Sequence, residues 1–198
     1  MTEDYSDQKK RLMEVAVELF SAHGYTGTSI RDIAQANGTS ISNIYHYFGN
    51  KDGLLVAVLQ SLSQVLLNGL RGVISENFNP VEGLCALVHK HLRMCSENIS
   101  ATKIFLLDAE HFSTEGNRIS RSIQRDILNI YVEQLRRVQE DGLIGNRDLR
   151  AMAFNTLACI NWQLRWFRPD GSLSAEKAHK EISDFILYGV LGNSGRKS

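Results

Sequence analysis

The chain has 198 residues, of which 43% are apolar and 22% are charged. This length allows one domain or two small ones, and this apolar content can fill a core without disulfides or metals. The 22 Lys and Arg residues balance the 22 Asp and Glu residues, so the formal net charge is zero. These values exclude a polycationic nucleic-acid binder and a disordered polyelectrolyte.

Neither a membrane span nor a secretion signal is expected. The longest purely apolar run, Leu54 to Leu59, is far shorter than the roughly 20 residues that a spanning helix requires. The N-terminus, MTEDYSDQKK, is polar and is not followed by an apolar stretch. Cys85, Cys95 and Cys159 show no paired spacing and are predicted to be reduced thiols. We therefore expect a cytoplasmic protein without a membrane partner.

Hydrophobic periodicity predicts an all-α chain that begins with three helices, the second and third of them short. The first has one apolar face and ends at Gly24, a left-handed C-cap signal. The second begins at Thr28, a good N-cap residue, and ends at Gly38. The third begins at Ser40 and stops at Gly49.

Longer helices follow, the first of them capped by Asn50. The predicted segments are 51–76, 80–98, 101–112, 115–141, 147–167 and 174–191. Because short helices give way to long apolar ones near residue 50, we predict two domains. The first is a small N-terminal module over residues 1–53, and the second is a larger helical body over residues 54–198.

The two short helices have the spacing of a helix-turn-helix. Ala34 is followed four residues later by Gly38 and ten residues later by Ile44. The small residue lets the helices approach, the glycine takes the positive φ of a tight turn, and the isoleucine enters the core. Small polar groups on the second helix of such a motif can meet base edges, and flanking tyrosines can reach phosphates. The polar face opposite Ile44 consists of Ser42, Asn43 and His46, with Tyr45 and Tyr47 on its flanks.

From Leu19 to Leu55 the sequence, LFSAHGYTGTSIRDIAQANGTSISNIYHYFGNKDGLL, resembles the TetR family of bacterial transcriptional regulators. It carries the family's Gly-Tyr, Thr-Ser, Ile-Ala, Gly-x-Ser, Ile-Tyr-x-Tyr-Phe and Asn-Lys elements in register. Thr39 departs from the pattern, because the family often has valine there. The resemblance implies a homodimeric repressor that binds a palindromic operator in double-stranded DNA. Residues 1–53 would be its DNA-binding domain, and residues 54–198 would be its helical ligand-binding and dimerisation domain. A small molecule that enters the second domain would release the DNA.

The resemblance also assigns roles to individual positions. The basic Arg31, which lies beside the motif, is a further predicted DNA-binding residue. Thr28 and Ser29 would touch the DNA backbone, Ser40, Ser42, Asn43 and His46 would face the groove, and Tyr45, Tyr47 and Lys51 would hold phosphates. Residues 1–53 contain seven Asp and Glu residues but only five Lys and Arg residues. Since strong nonspecific DNA binding needs the opposite sign, we expect a modest and dimer-dependent affinity.

Two other functional classes stay open at this point. Glu176-x-x-His179 and the poorer Asp108-x-x-His111 pattern are partial matches to a di-iron carboxylate enzyme, although no phosphate loop or nucleophile elbow accompanies them. A helical protein-interaction adaptor is the third class. No metal, cofactor or catalytic residue is predicted. The candidate ligands Cys85, His89, His91 and Cys95 fall on different faces of one helix.

The last two helices are predicted to form the dimer interface. The segment 151–164, AMAFNTLACINWQL, contains no charged residue, and a helix that is apolar on nearly all sides must be covered on nearly all sides. The final helix offers a second apolar surface around Phe185 and Gly189.

The effector prediction depends on Trp162 and Trp166, which share a helix face and have Arg165 beside them. The two indoles either pack in the core or dimer interface, or line an apolar pocket with a cationic rim. Such a pocket suits an acyl-coenzyme A thioester or an aromatic acid, with a cationic drug as the runner-up. Further predicted lining residues are Phe105, His111, Phe112 and Tyr131.

Overall fold

The computed structural model describes residues 2–107, 112–168 and 170–192. These residues form nine α-helices and no strand, which confirms the all-α prediction. The predicted lining residue His111 lies outside the described residues, as does the side chain of Phe105. In chain order the helices are α1 (Thr2–Gly27), α2 (Ile30–Ala36), α3 (Ile41–Phe48), α4 (Lys51–Ser75), α5 (Pro80–Glu97), α6 (Ile99–Leu107), α7 (Thr114–Glu140), α8 (Leu149–Trp166) and α9 (Ala175–Leu191).

One compact unit comprises Met1–Gln64 and Asn98–Ile123. In it α1 packs against α2 and α6, and α2 packs against α3. Apolar residues at helical spacing form its core, because each helix turns one stripe inward. The fully buried members from the first three helices are Leu12, Ala16, Phe20, Ile33 and Ile44.

A second compact unit comprises Val65–Glu97 and Gln124–Ser198. Here α9 packs against α5 and α8, and α5 also contacts α8. This division differs from the predicted boundary after residue 53, because α6 and the start of α7 group with the N-terminal helices. Sequence patterns did not indicate that grouping, which depends on contacts between residues far apart in the chain.

The junction between α1 and α2 corrects one predicted cap. Gly24 has a φ of +74° and interrupts α1, as its sequence position suggested, but one further turn follows it. Thr28 is buried, and its hydroxyl lies 3.1 Å from the carbonyl oxygen of Leu19 and 3.0 Å from that of Gly24. Ser29, and not Thr28, is the N-cap of α2.

The helix α4 is long and apolar enough to cross a membrane by length and composition alone, with a mean hydropathy of 1.6 over 18 residues. Because polar residues interrupt α4, its unbroken apolar runs are too short to indicate this property. Core helices of globular proteins pass the same test. Leu54, Leu55 and Val58 of α4 are almost fully buried, although only 33% of the 18-residue window is buried.

Candidate DNA-binding interface and effector region

The turn between α2 and α3 has the geometry of a helix-turn-helix. Gly38 has a φ of +65°, and the N–H of Thr39 donates to the carbonyl of Ala34 at 3.0 Å. Ala34 and Ile44 are both buried, so the small residue and the core isoleucine occupy the places that their spacing predicted. The positive φ explains the glycine, since other residues adopt this conformation only at a cost.

A reciprocal capping box starts α2. The backbone N–H of Asp32 donates to Ser29 Oγ at 3.2 Å, and the backbone N–H of Ser29 donates to the Asp32 carboxylate at 2.8 Å. The Ser29 hydroxyl also donates to this carboxylate at 2.7 Å. These hydrogen bonds hold the pKa of Asp32 below its ordinary value. Ser29 and Arg31 are exposed beside this cap.

The predicted recognition helix α3 presents a polar face on the surface of the unit. Its N-cap Ser40 accepts a hydrogen bond from the N–H of Asn43 at 3.2 Å. Asn43 is half-buried, and its side-chain amide nitrogen donates to Thr39 Oγ1 at 3.0 Å. The exposed residues of this region are Ser40, Ser42, Tyr45 and His46.

Two further candidate phosphate ligands are held by neighbouring residues of the same unit. The Tyr47 hydroxyl donates to Gln8 Oε1 on α1 at 2.7 Å. Lys51 Nζ lies 4.3 Å from the centre of the Tyr25 ring, a cation–π distance. Partial burial lowers the pKa of Lys51 from its ordinary value. The phenol of Tyr47 and the ammonium group of Lys51 are therefore both held by side chains of the same unit.

The residues around Lys51 confirm one local prediction. Asn50 caps α4, because its Oδ1 accepts from the backbone N–H of Gly53 at 2.7 Å. Tyr25 packs against Phe20, with ring centroids 5.4 Å apart. Burial, followed by the negative charge of Asp52, raises the pKa of Tyr25.

Thr28 is the one predicted DNA contact that the structure contradicts. The residue is only 2% exposed, and its hydroxyl donates to the carbonyl oxygens of Leu19 and Gly24 inside the unit. A buried and already bonded hydroxyl cannot reach a phosphate. The other nine predicted positions are exposed or half-buried.

The second unit has large aromatic side chains on the outer surfaces of α8 and α9. Trp162 is 65% exposed, and Trp166 is exposed as well. Both indoles are therefore accessible on the surface of this single chain, and their role in effector binding stays a prediction. Arg165 is exposed beside them. The same surfaces carry Phe154, Phe185 and Tyr188, all exposed.

A buried polar pair, His91 and Tyr131, lies between α5 and α7 in the second unit. His91 Nδ1 and the Tyr131 hydroxyl are 3.0 Å apart, and both side chains are almost completely buried. Burial lowers the pKa of His91 to about 4 and raises that of Tyr131 well above its ordinary value. Tyr131 was a predicted lining residue, and its hydroxyl is committed to His91. Phe112, another predicted lining residue, is buried in the first unit.

An open groove of about 940 Å³ lies among α4, α5 and α9 of the second unit. Sequence reasoning did not predict it. The only hint was a pair of glycines inside α4, Gly69 and Gly72, which both line it. A Cβ atom at Gly69 would lie 2.7 Å from Met94 Sδ, so glycine permits close approach of α4 and α5. His179 also lines the groove, and its Nε2 is 2.8 Å from Ser96 Oγ.

Two family models match most of the chain. A model of bacterial regulatory proteins of the tetR family matches residues 12–58, and a model of the tetracyclin repressor-like C-terminal domain matches residues 77–190. The chain is 24% identical over 191 residues to the HTH-type transcriptional repressor KstR2 of Rhodococcus jostii (strain RHA1). That match covers 96% of this chain and 94% of KstR2.

Solved structures have the same fold. The TetR family transcriptional regulator PfmR from Thermus thermophilus matches with a TM-score of 0.81 and 30% identity, over 89% of this chain and 97% of PfmR. AibR in complex with isovaleryl coenzyme A and operator DNA matches with a TM-score of 0.81 and 24% identity, over 93% of this chain and 98% of AibR.

The helix-turn-helix geometry and these matches agree. They make the protein a DNA-binding transcriptional regulator and not an enzyme, and they do not favour the di-iron and adaptor alternatives. The chain belongs to the TetR family of bacterial transcriptional regulators.

Proposed function

We propose that the protein is a homodimeric repressor that binds a palindromic operator and is released by a small hydrophobic anion. The observation that carries the proposal is the helix-turn-helix, in which buried Ala34 and Ile44 fix α3 so that its polar face is exposed. A two-fold dimer would place one α3 in each of two successive major grooves. As a regulator of bacterial genes, it would act in the cytoplasm.

Within each half-site, two groups of residues have different tasks. Base edges would be read by the groove-facing side chains, which determine sequence preference. Phosphates would be held by the flanking groups, which determine register and affinity. The base-reading group consists of Ser40, Ser42, Asn43 and His46, and the phosphate-holding group consists of Ser29, Arg31, Tyr45, Tyr47 and Lys51.

Substitution of Lys51 and Asn43 tests this division of tasks. Lys51→Ala is expected to weaken binding to all duplexes by roughly tenfold, because it removes one charge-assisted phosphate contact per subunit. Asn43→Ala is expected to relax base preference at one position per half-site. Fluorescence anisotropy against an operator and its single-base variants measures both effects. If Lys51→Ala altered the preferred base while affinity stayed constant, the two tasks would be wrongly assigned.

The homodimer is supported by the exposed aromatic surface of α8 and α9. Phe154 and Trp162 on α8 lie in the segment that lacks charges, and the adjacent helix α9 exposes Phe185 and Tyr188. An aromatic surface of this extent on a regulator is typical of a protein–protein interface. Helix pairs from two subunits would cover it as a four-helix interface.

Trp162, Arg165 and Trp166 remain the proposed ligand-binding residues, but at a site that two subunits form together. Because both indoles are exposed, a pocket that includes them needs a wall from the second subunit. Their apolar rings and the adjacent Arg165 suit an amphipathic anion, such as an acyl-coenzyme A thioester or an aromatic acid. The neighbour AibR, with the same fold, was solved with isovaleryl coenzyme A and operator DNA.

Titration with acyl-coenzyme A compounds of several chain lengths tests the effector. We expect tryptophan fluorescence to change and the operator complex to dissociate over the same concentration range. Trp166→Leu is expected to raise the concentration for half-release by roughly tenfold, since it removes an aromatic contact from the site. Coenzyme A without an acyl group is the control. If a full titration changed neither the fluorescence nor the operator complex, this effector class would be rejected. The proposal that the protein binds an operator would not be affected by that result.

A further inference from the structure

The helix-turn-helix holds Thr39 in a fixed place. Its N–H donates to the carbonyl of Ala34, and the N–H of Gly38 donates to the carbonyl of Gln35 at 3.2 Å, the hydrogen-bond pair of a Schellman motif. The residue after the glycine in this motif commonly makes an apolar contact with the helix. Thr39, which is half-buried, keeps a methyl group there and adds a hydroxyl that has a hydrogen-bond partner within the same unit.

Asn43 is that partner. Its side-chain nitrogen Nδ2 donates to Thr39 Oγ1 at 3.0 Å. The backbone N–H of Asn43 is fixed separately, at 3.2 Å from Ser40 Oγ and 3.1 Å from the Ser40 carbonyl oxygen. Both the main chain and the amide of Asn43 are therefore held by the turn that precedes α3.

The hydrogen bond determines which groups of the amide stay available. An asparagine amide has two N–H donors and one carbonyl acceptor, and the Thr39 hydroxyl uses one donor. Among the described residues no hydrogen bond reaches Asn43 Oδ1. One N–H beside one acceptor oxygen complements N7 and the N6 amino group of adenine in the major groove, whereas guanine presents two acceptors there.

A held amide discriminates better than a free one. A free asparagine side chain can take several rotamers, and only some of them bring the amide to a base edge. The hydrogen bond to Thr39 Oγ1 restricts Asn43 to rotamers that keep its amide beside the turn, at the start of α3. Because the Thr39 hydroxyl can donate as well as accept, it holds the amide in place, and adenine selects the amide orientation that matches its N7 and N6 groups.

We infer that the Thr39 hydroxyl is a specificity-determining positioning group, which orients Asn43 so that it selects adenine over guanine at one position of each operator half-site. The inference rests on the proposed placement of α3 in the major groove. Thr39 does not touch the base itself and acts through Asn43.

Base preference measured on the full-length dimer tests the inference. An operator is first selected from random double-stranded DNA, and the position affected by Asn43→Ala is then varied through all four bases. We expect the wild type to prefer adenine over guanine by on the order of tenfold per half-site. Thr39→Val removes the hydroxyl but keeps the shape, and it should reduce this ratio below about threefold while binding to the adenine operator changes by less than about twofold.

Three further variants separate positioning from folding. Thr39→Ser keeps the hydroxyl and should retain the adenine preference, whereas Thr39→Ala should lose it. In the Asn43→Ala background, Thr39→Val should produce no further change in base profile, because a positioning group acts only through its partner. Thermal melting by circular dichroism establishes that each variant is folded.

Two results would overturn the inference at different levels. In the first, Thr39→Val and Thr39→Ala both keep the wild-type ratio of adenine to guanine binding, whereas Asn43→Ala loses it. Thr39 would then have no part in base recognition, and the proposed placement of α3 in the groove would stand. An unchanged base profile in Asn43→Ala would overturn the proposed groove face and the inference together.

Discussion

Replacing both Phe185 and Tyr188 with aspartate is expected to convert the dimer into monomers and to lower operator affinity at least about a hundredfold. The two side chains are 68% and 74% exposed in the single chain and lie one helical turn apart on α9. Burying a large aromatic side chain contributes about 1.5–3 kcal/mol, and each dimer would lose four of them. A monomer binds one half-site alone. In a dimer, binding of the first α3 raises the effective concentration of the second α3 at the other half-site, and a monomer loses this advantage.

Sedimentation and operator binding measure this effect together. The wild type should sediment at twice the chain mass of 22.3 kDa, and the variant should sediment at that mass. Ser122→Asp with Asn129→Asp is the matched control, because it adds the same two charges to exposed positions of α7. A variant that stays dimeric, or a monomer that binds the operator as tightly as the wild type, would contradict the proposed interface.

The N-terminal elements were predictable because their signals are local. Gly24, Gly38 and Gly49 all have positive φ values, and each marks the helix end or turn that its position in the sequence indicated. The cap of α2 was less determinate, because Thr28 and Ser29 are both good N-cap residues. The choice between them depends on Thr28 turning back toward the end of α1, which no local pattern reports.

The body of the protein was harder to predict because its decisive contacts join distant residues. The charge-free segment predicted that α8 is covered on nearly all sides, but it could not indicate which residues, such as Trp162, stay exposed in the single chain. The sequence indicated His91 only as a candidate metal ligand on an unsuitable helix face. Its partner Tyr131 is 40 residues further along the chain, and only the packing of α5 and α7 brings the two together.

That buried pair makes the folded protein sensitive to acid. His91 has a pKa of about 4 in the folded chain, against 6.5 for an ordinary histidine, because burial disfavours its charged form. Between these values the unfolded chain binds a proton that the folded chain does not. The contribution of His91 to stability is therefore complete above pH 6.5 and falls as the pH decreases toward 4.

The expected loss is about 1.4 kcal/mol per pH unit below 6.5, which amounts to about 2 kcal/mol at pH 5. Urea unfolding of the wild type at pH 7 and pH 5 gives the total acid response, to which other groups also contribute. His91→Gln retains a polar side chain at this site but does not titrate, so its acid response should be smaller than that of the wild type by about 2 kcal/mol.

Two controls separate the buried pair from general effects of acid. His89→Gln, at an exposed position of the same helix, should lose stability between pH 7 and pH 5 as the wild type does. The double variant His91→Leu with Tyr131→Phe removes both polar partners, so it leaves no unpaired group and should share the reduced acid response of His91→Gln. Equal acid responses in the wild type and His91→Gln would show that His91 takes up its proton without unfolding, and the shielding of this pair from water would then be disproved.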